Sequence, residues 1–165
     1  MNFSLDIQNY IFKNDVGYVN QLEQDDQTDI IFGVRNRNTL ENTFNTNYNF
    51  SPTMALTFRL RHYWSRVQYD RFNLLEEDGS LGTTDYNEIH DNNFNAFTID
   101  MVYRWRFSPG SDLFIVWKNS IFNSDELATI GYLKNIDNLR EAPQTNSLSI
   151  KFIYYIDYQL SLIHI

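Results

Sequence analysis

The feature that most limits the fold of this chain is a period of two. From Asn95 to Phe107, the side chains Phe97, Ile99, Met101, Tyr103, Trp105 and Phe107 fall in one phase, and Ala96, Thr98, Asp100, Val102, Arg104 and Arg106 in the other. Successive side chains of a strand point to opposite faces, so this stretch has one apolar and one polar face; a helical period does not reproduce it. Leu56, Phe58, Leu60 and Trp64 alternate in the same way with Thr57, Arg59, Arg61, Tyr63 and Ser65, with His62 interrupting the apolar row. Near the end, Leu148, Ile150, Phe152, Tyr154, Ile156 and Tyr158 alternate with Ser147, Ser149, Lys151, Ile153, Tyr155 and Asp157. Weaker alternation in Phe3, Leu5, Ile7 and Ile11, in Leu40, Phe44, Tyr48 and Phe50, and in Leu113, Ile115, Trp117 and Ile121 brings the expected strands to six. The expected fold class is all-β, an antiparallel meander of about six long amphipathic strands.

The connections are also patterned. Ser51-Pro52-Thr53 and Ser108-Pro109-Gly110-Ser111 carry tight-turn chemistry, whereas the other connections are expected to run through long polar segments near 14–35, 70–92 and 123–144. Within the third of these, Ile130, Leu133, Ile136 and Leu139 stand at helical spacing before Pro143, which predicts a short helix. Short turns on one side and long loops on the other are the pattern of an outer-membrane barrel, with the short turns periplasmic. Strands of about 13 to 16 residues, against a mode of about 5 to 6 in globular proteins, point the same way. Single-chain barrels of this type begin at about eight strands, so residues 1–159 are expected to be a C-terminal part of a larger barrel. A soluble β-sandwich or small ligand-binding barrel produces the same alternation and is the alternative reading.

Composition narrows the partners. The 13 basic and 21 acidic residues leave a net charge of −8, which supplies no basic footprint for phosphate neutralisation, so nucleic acid is not expected as a partner. The acidity is localised: segments 22–29, 76–91 and 125–141 carry −4, −6 and −2, so the remainder of the chain is +4. The 13 Phe, 11 Tyr and 3 Trp make up 16% of a chain whose mean hydropathy is only −0.46. Aromatic rings in a polar chain fit the headgroup level of a membrane, and Tyr48, Phe50, Trp64, Tyr103, Trp105, Phe107 and Tyr158 are the expected membrane-interface aromatics, with outer-membrane lipid as the partner. The longest apolar runs, 113–117 and 152–156, are far below the roughly 18 residues of a membrane helix. Cysteine is absent, which excludes disulfides and thiolate chemistry. The chain opens directly in alternating sequence without a basic or apolar leader, so an exported protein would need sequence upstream.

The charged residues of the polar face are the expected lumen: Asp6, Arg37, Glu41, Arg59, Arg61, Asp100, Arg104, Arg106, Lys118, Lys151 and Asp157, seven basic and four acidic. Arginine forks on a barrel interior can guide anionic or sugar-like solutes. The plainer expectation is that Arg59, Arg61, Arg104 and Arg106 pair across strands with Glu41 and Asp100. Arg66 falls in phase with the apolar face, where it could meet lipid phosphates or simply be a solvated rim residue. No nucleophile motif is present, and Glu76-Glu77-Asp78-Gly79-Ser80 lacks the alternating ligand spacing of a calcium loop. His62, His90 and His164 are too scattered to define a metal site. No catalytic residue, metal or cofactor is expected, and the segment is not read as an enzyme.

Several stretches are familiar when taken in order: Tyr48-Asn49-Phe50-Ser51-Pro52, Arg59-Leu60-Arg61-His62-Tyr63-Trp64-Ser65, Glu77-Asp78-Gly79-Ser80-Leu81, Tyr103-Arg104-Trp105-Arg106-Phe107-Ser108-Pro109-Gly110-Ser111, Trp117-Lys118-Asn119, Pro143-Gln144-Thr145-Asn146-Ser147-Leu148-Ser149 and Tyr154-Tyr155-Ile156-Asp157-Tyr158. From about Gly33 to Tyr158 the chain resembles the C-terminal part of the family called domain of unknown function 5916. The resemblance implies an envelope protein in which a module similar to family 9 carbohydrate-binding domains precedes a large barrel-like region. It therefore implies the outer membrane of a Gram-negative bacterium, a structural, transport or surface-display role, and carbohydrate contact through a module absent from this chain. Some members carry hydrolase-like labels, so the barrel part of a glycan-acting hydrolase is a further alternative, although the family supplies no established catalytic residues. Residues 160–165, Leu-Ser-Leu-Ile-His-Ile, depart from the family pattern and resemble translated sequencing-adapter read-through, so they are expected to be a non-native tail.

Overall fold

The computed structural model describes residues 1–24 and 27–156. The chain forms β1 (Asn2–Gln24), β2 (Gln27–Ser51), β3 (Met54–Leu75), β4 (Leu81–Gly82), β5 (Asn92–Ser108), β6 (Ser111–Asp125), α1 (Tyr132–Glu141) and β7 (Gln144–Ile153). All strands belong to one antiparallel sheet in the order β1-β2-β3-β5-β6-β7, with the short β4 beside β3. Among the described residues the sheet does not close: β1 and β7 each pair along one side only.

The six-strand meander is present, and β4 adds a seventh, two-residue strand. The two expected tight turns sit where Pro52 and Pro109 place them, between β2 and β3 and between β5 and β6. Gly110 takes φ +72°, a left-handed conformation that only glycine adopts cheaply in such a turn. The expected long polar loop at 14–35 is corrected: β1 runs to Gln24 and β2 starts at Gln27. Its alternation is hidden by bulges between Phe12 and Asp15 and between Tyr18 and Asn20, each of which shifts the phase. Asn14 occupies φ 53° at the first bulge, a region asparagine tolerates better than other non-glycine residues. The second expected loop is shorter than 70–92 because β3 continues to Leu75, and the third begins only after Asp125.

At about 3.4 Å per residue, β2's 25 residues span roughly 80 Å and β6's 15 residues about 50 Å. The sheet is therefore uneven: β1, β2 and β3 rise well beyond the point where β5 stops pairing, at Val67–Asn92. Near the top of this tall panel Gly33 makes room for Tyr69, whose ring would lie 2.5 Å from any added Cβ. The loop after β4 braces the panel, with Tyr86 edge-on to Phe72 at 5.2 Å and His90 against Tyr69 and Phe72.

Register assigns the faces. Directly opposed residues share a face, so Leu60 joins Phe44, Ile99 and Asn119, and Arg59 joins Asn45, Asp100 and Lys118. The first face is apolar over the half near the tight turns. Toward the loops it becomes polar, with Asn42, His62, Asn93, Asn95 and Asn123 in the same phase. The helix α1 and the segment before it lie over that polar half. Buried apolar side chains are few, and Trp64, Ile121, Ala128 and Leu139 gather there. α1 buries Asn135 and Leu139, while Leu133, expected on the apolar stripe, is exposed. The final strand ends at Ile153, short of the alternation that runs to Tyr158 in sequence.

Candidate functional site

The turn end of the apolar face carries a connected row of rings. Tyr48 and Phe50 meet edge to face with centroids 4.7 Å apart, and Phe50 reaches Tyr103 at 6.3 Å. Trp105 touches Phe107 at 5.8 Å, and Phe107 stacks on Phe152 at 5.1 Å and on Tyr154 at 6.3 Å. Alternation alone puts these residues on one face; the two tight turns bring them to one level of it. Tyr48, Phe50 and Trp105 remain exposed. Tyr158, expected in the same row, lies outside the described residues, as do Asp157, His164 and the segment 160–165.

Trp64 is placed differently. It is only 4% exposed, lies under the Tyr132 ring of α1 at 5.5 Å, and donates its indole N–H to Asn93 Oδ1 at 2.6 Å. The expected interfacial role does not fit a ring so enclosed; Trp64 helps to anchor the helix instead. Around it, Asn95 and Asn135 exchange two amide hydrogen bonds of 2.9 and 2.7 Å, and His62 Nε2 lies 3.2 Å from Asn95 Oδ1. Asn93 donates to Asp125 Oδ1 at 3.0 Å and to Asn135 Oδ1 at 3.3 Å. Asn93, Asn95 and Asn135 are fully buried. An asparagine side chain carries two donors and two acceptor lone pairs, so such a cluster is stable in a dry interior only when its members satisfy each other.

On the opposite face the expected lumen charges form short cross-strand sets. Arg61 Nη2 lies 3.2 Å from Asp100 Oδ2, and Lys118 Nζ is 4.0 Å from Asp100 Oδ1. Arg59 donates through Nε to Asn45 Oδ1 at 2.9 Å. Arg104 and Arg106 share a single acceptor, Asp112 Oδ1, at 3.0 and 3.3 Å. The expectation that all four arginines pair with Glu41 and Asp100 is thus corrected for three of them. Register explains it: Asp112 stands opposite Arg106, whereas Glu41 stands opposite Tyr63 and Gln8. Among the described residues neither Glu41 nor Lys151 makes an ion pair. Arg37 stacks over Phe12 with its guanidinium carbon 4.5 Å from the ring centroid. Pairs this exposed contribute about 0–1 kcal/mol each, so this charged face does not hold the fold together.

The family model described as Domain of unknown function (DUF5916) matches residues 1–162. The chain belongs to that family. No curated protein and no solved structure matches this DUF5916 chain.

Sequence reasoning passed over the buried asparagines, Tyr132 and Asp112 of the DUF5916 chain. A signal existed for the first group: Asn93 and Asn95 continue the apolar phase of Phe97 to Phe107, and a polar residue in an apolar phase calls for a partner above the sheet. For Asp112 there was none, since choosing it over Glu41 requires the register.

Proposed function

We propose that this DUF5916 chain is part of the wall of an outer-membrane-type β-barrel in a Gram-negative envelope, with its apolar face against lipid and its charged face toward the lumen. The observation that carries the reading is the bare apolar band. At its two edges Phe3, Leu5, Ile7, Leu148, Ile150 and Phe152 are exposed by 62% to 72%, and no protein element among the described residues covers them. Apolar area out of water is worth about 25 cal/mol per Å², and a sheet this wide does not leave such a band wet.

The dimensions agree with a bilayer. The band runs from Met54 to Leu60 on β3 and from Phe97 to Trp105 on β5, which is seven and nine residues, or roughly 24–31 Å along tilted strands. Membrane strands cross with about 9–11 residues, and outer-membrane barrels carry an apolar belt about 25 Å tall flanked by aromatics. The ring row at the turn end supplies one flank and the asparagine level begins the other. The open edges of β1 and β7 fit further strands on both sides, because an unpaired edge is untenable in lipid. The charged face, with arginines beside amides, suits a polar interior; a role in transport or display of carbohydrate is proposed from the envelope setting and from the carbohydrate-binding-like module that the family resemblance implies.

The test is membrane fractionation of the full-length protein combined with electrophoresis of unheated and boiled samples. Recovery in the outer-membrane fraction with a heat-dependent change of mobility is expected. A soluble product with no mobility change overturns the proposal in favour of a soluble ligand-binding sheet.

A further inference from the structure

Rings also stand on the charged face, turned away from the apolar band. Three successive ranks of opposed residues near the loops carry Tyr10, Phe12, Tyr63, Phe94 and Phe122, all in the phase of Arg59 and Asp100. Tyr63 meets Phe94 edge to face with centroids 6.0 Å apart, and Phe122 stands opposite Ala96, itself opposite Tyr63. Tyr63, Phe94 and Phe122 therefore form a diagonal row across β3, β5 and β6. Tyr10, Phe12, Tyr63 and Phe122 are exposed by 37% to 63%. Lipid against the opposite face does not reach these rings, so they call for a partner of their own.

The two ranks below them, toward the tight turns, hold short hydrogen-bonding groups instead of rings. Thr43, Thr98, Ser120 and Thr145 accompany Arg61 in one, and Ser4, Asn45 and Ser147 accompany Arg59, Asp100 and Lys118 in the next. A hollow of about 420 Å³ opens there between Ser4, Asn45, Asn47, Thr57, Arg59 and Asp100, within the roughly 300–1,000 Å³ of small-molecule sites. Its groups orient one another without being used up. Asn45 donates to Ser4 Oγ at 3.3 Å and accepts from Arg59 Nε at 2.9 Å, and Thr57 donates to Asn47 Oδ1 at 2.9 Å. The terminal nitrogens of Arg59 and the amide nitrogen of Asn47 have no acceptor among the described residues. At the edge of the ring level Glu41 stands between Gln8 and Tyr63, and it makes no ion pair among the described residues.

Charge narrows the ligand. From the rank of Arg59 to that of Glu41 the face carries three cations, Arg59, Arg61 and Lys118, and three anions, Asp6, Glu41 and Asp100, which sum to zero. Nearer the tight turns the balance is different, with Arg104, Arg106 and Lys151 against Asp112. A surface dense in donors and acceptors but without net charge complements a neutral polyhydroxyl ligand, because an ion gains no net attraction from it. The rings narrow the choice again. The negative face of an aromatic ring attracts the C–H bonds on the apolar side of a pyranose. The hydroxyls around that pyranose then need carboxylate, guanidinium and amide partners, and each carboxylate accepts from two of them.

We propose that this face binds a neutral oligosaccharide, with one sugar stacked on Tyr63 and its hydroxyls on Glu41 and Arg61, and with the chain continuing into the hollow at Asn45, Arg59 and Asp100. Tyr63 and Arg59 are four residues apart on β3, or about 14 Å along the strand, which is longer than a single sugar ring. The ligand class does not depend on what covers the opposite face. Only passage of the sugar through a lumen rests on the barrel reading.

The test is calorimetric titration of the full-length protein in an amine-oxide detergent, since a glycoside detergent would compete. The probes are maltohexaose, cellohexaose, xylohexaose, glucose and the anionic hexamer of galacturonic acid. At least one neutral hexasaccharide is expected to bind about tenfold or more tightly than glucose and than the anionic hexamer, the step that one hydrogen bond to a charged group provides. Variants of this face tell its binding from that of any site elsewhere in the protein. Tyr63→Ala is expected to weaken binding about tenfold, and Tyr63→Phe, which keeps the ring, to restore it. Glu41→Gln is expected to weaken it about tenfold as well; it breaks no ion pair, so it keeps the test valid if Tyr63→Ala misfolds. The proposal is overturned if no neutral hexasaccharide binds protein with native β circular dichroism. It is also overturned if the anionic hexamer binds as tightly, or if Glu41→Gln leaves binding unchanged. Heat-dependent mobility tests the barrel separately, so either reading can fail alone.

Discussion

The two ends of one sheet face solve the same problem in opposite ways. At the loop end, the face is covered by protein: α1 lies over it, and Trp64, Asn93, Asn95 and Asn135 are enclosed in a hydrogen-bonded polar cluster that leaves His62 Nδ1 without a partner among the described residues. At the turn end nothing among the described residues covers it, and its residues are almost purely apolar. A sheet that needed its own protein cover everywhere would place it over the most apolar half. Here the helix sits on the half that needs specific hydrogen bonds, and the half that needs only a hydrophobic environment is left bare. That division is the contrast on which the proposed lipid-facing role of the turn end rests.

The sharpest way to break the comparison is to charge the bare half. Met101→Arg lies in the middle of the band and is expected to cost about 2–4 kcal/mol and to reduce outer-membrane recovery of the full-length protein. Val102→Arg, one residue away on the polar face, is expected to leave recovery unchanged; equal behaviour of the pair would remove the distinction between faces. At the covered half, Asn135→Ala removes both bonds to Asn95 and one from Asn93, leaving buried amide groups unpaired at about 1–3 kcal/mol. It is expected to raise hydrogen exchange across 126–143 and to red-shift Trp64 emission, with no change in the band.

Most of this contrast is legible in the sequence, and the parts that are not have physical reasons. The faces follow from alternation in Leu56–Trp64 and Phe97–Phe107, the two tight turns from Pro52 and Pro109, and the helix from Ile130, Leu133, Ile136 and Leu139, although Leu133 faces outward. The far halves of β1 and β2 were hidden because bulges at Asn14 and near Val19 reset the phase, and because glycines and acids there look like a loop. Trp64 looked like one more ring of an apolar row because its cover, Tyr132, is 68 residues away in the chain.

Smaller effects refine the comparison further up the sheet. Gly33→Ala places a Cβ 2.5 Å from the Tyr69 ring and is expected to destabilise the tall panel by about 1–3 kcal/mol, the usual range for overpacking. Its signature is faster proteolysis near the top of the panel with the turn end unaffected. Arg61→Gln removes the exposed pair with Asp100 and is expected to change thermal stability by less than about 1 kcal/mol. A larger loss would mean that the charged face is drier than its exposure implies.

The unequal strand lengths have a mechanical consequence. β1, β2 and β3 stand above β5 as a cantilever, and the bulges at Lys13–Asn14 and between Val34 and Arg35 lie close to the height where the support of β5 ends. Ladder bonds are already interrupted along that line, so bending there deforms fewer of them than bending through the regular ladder below it.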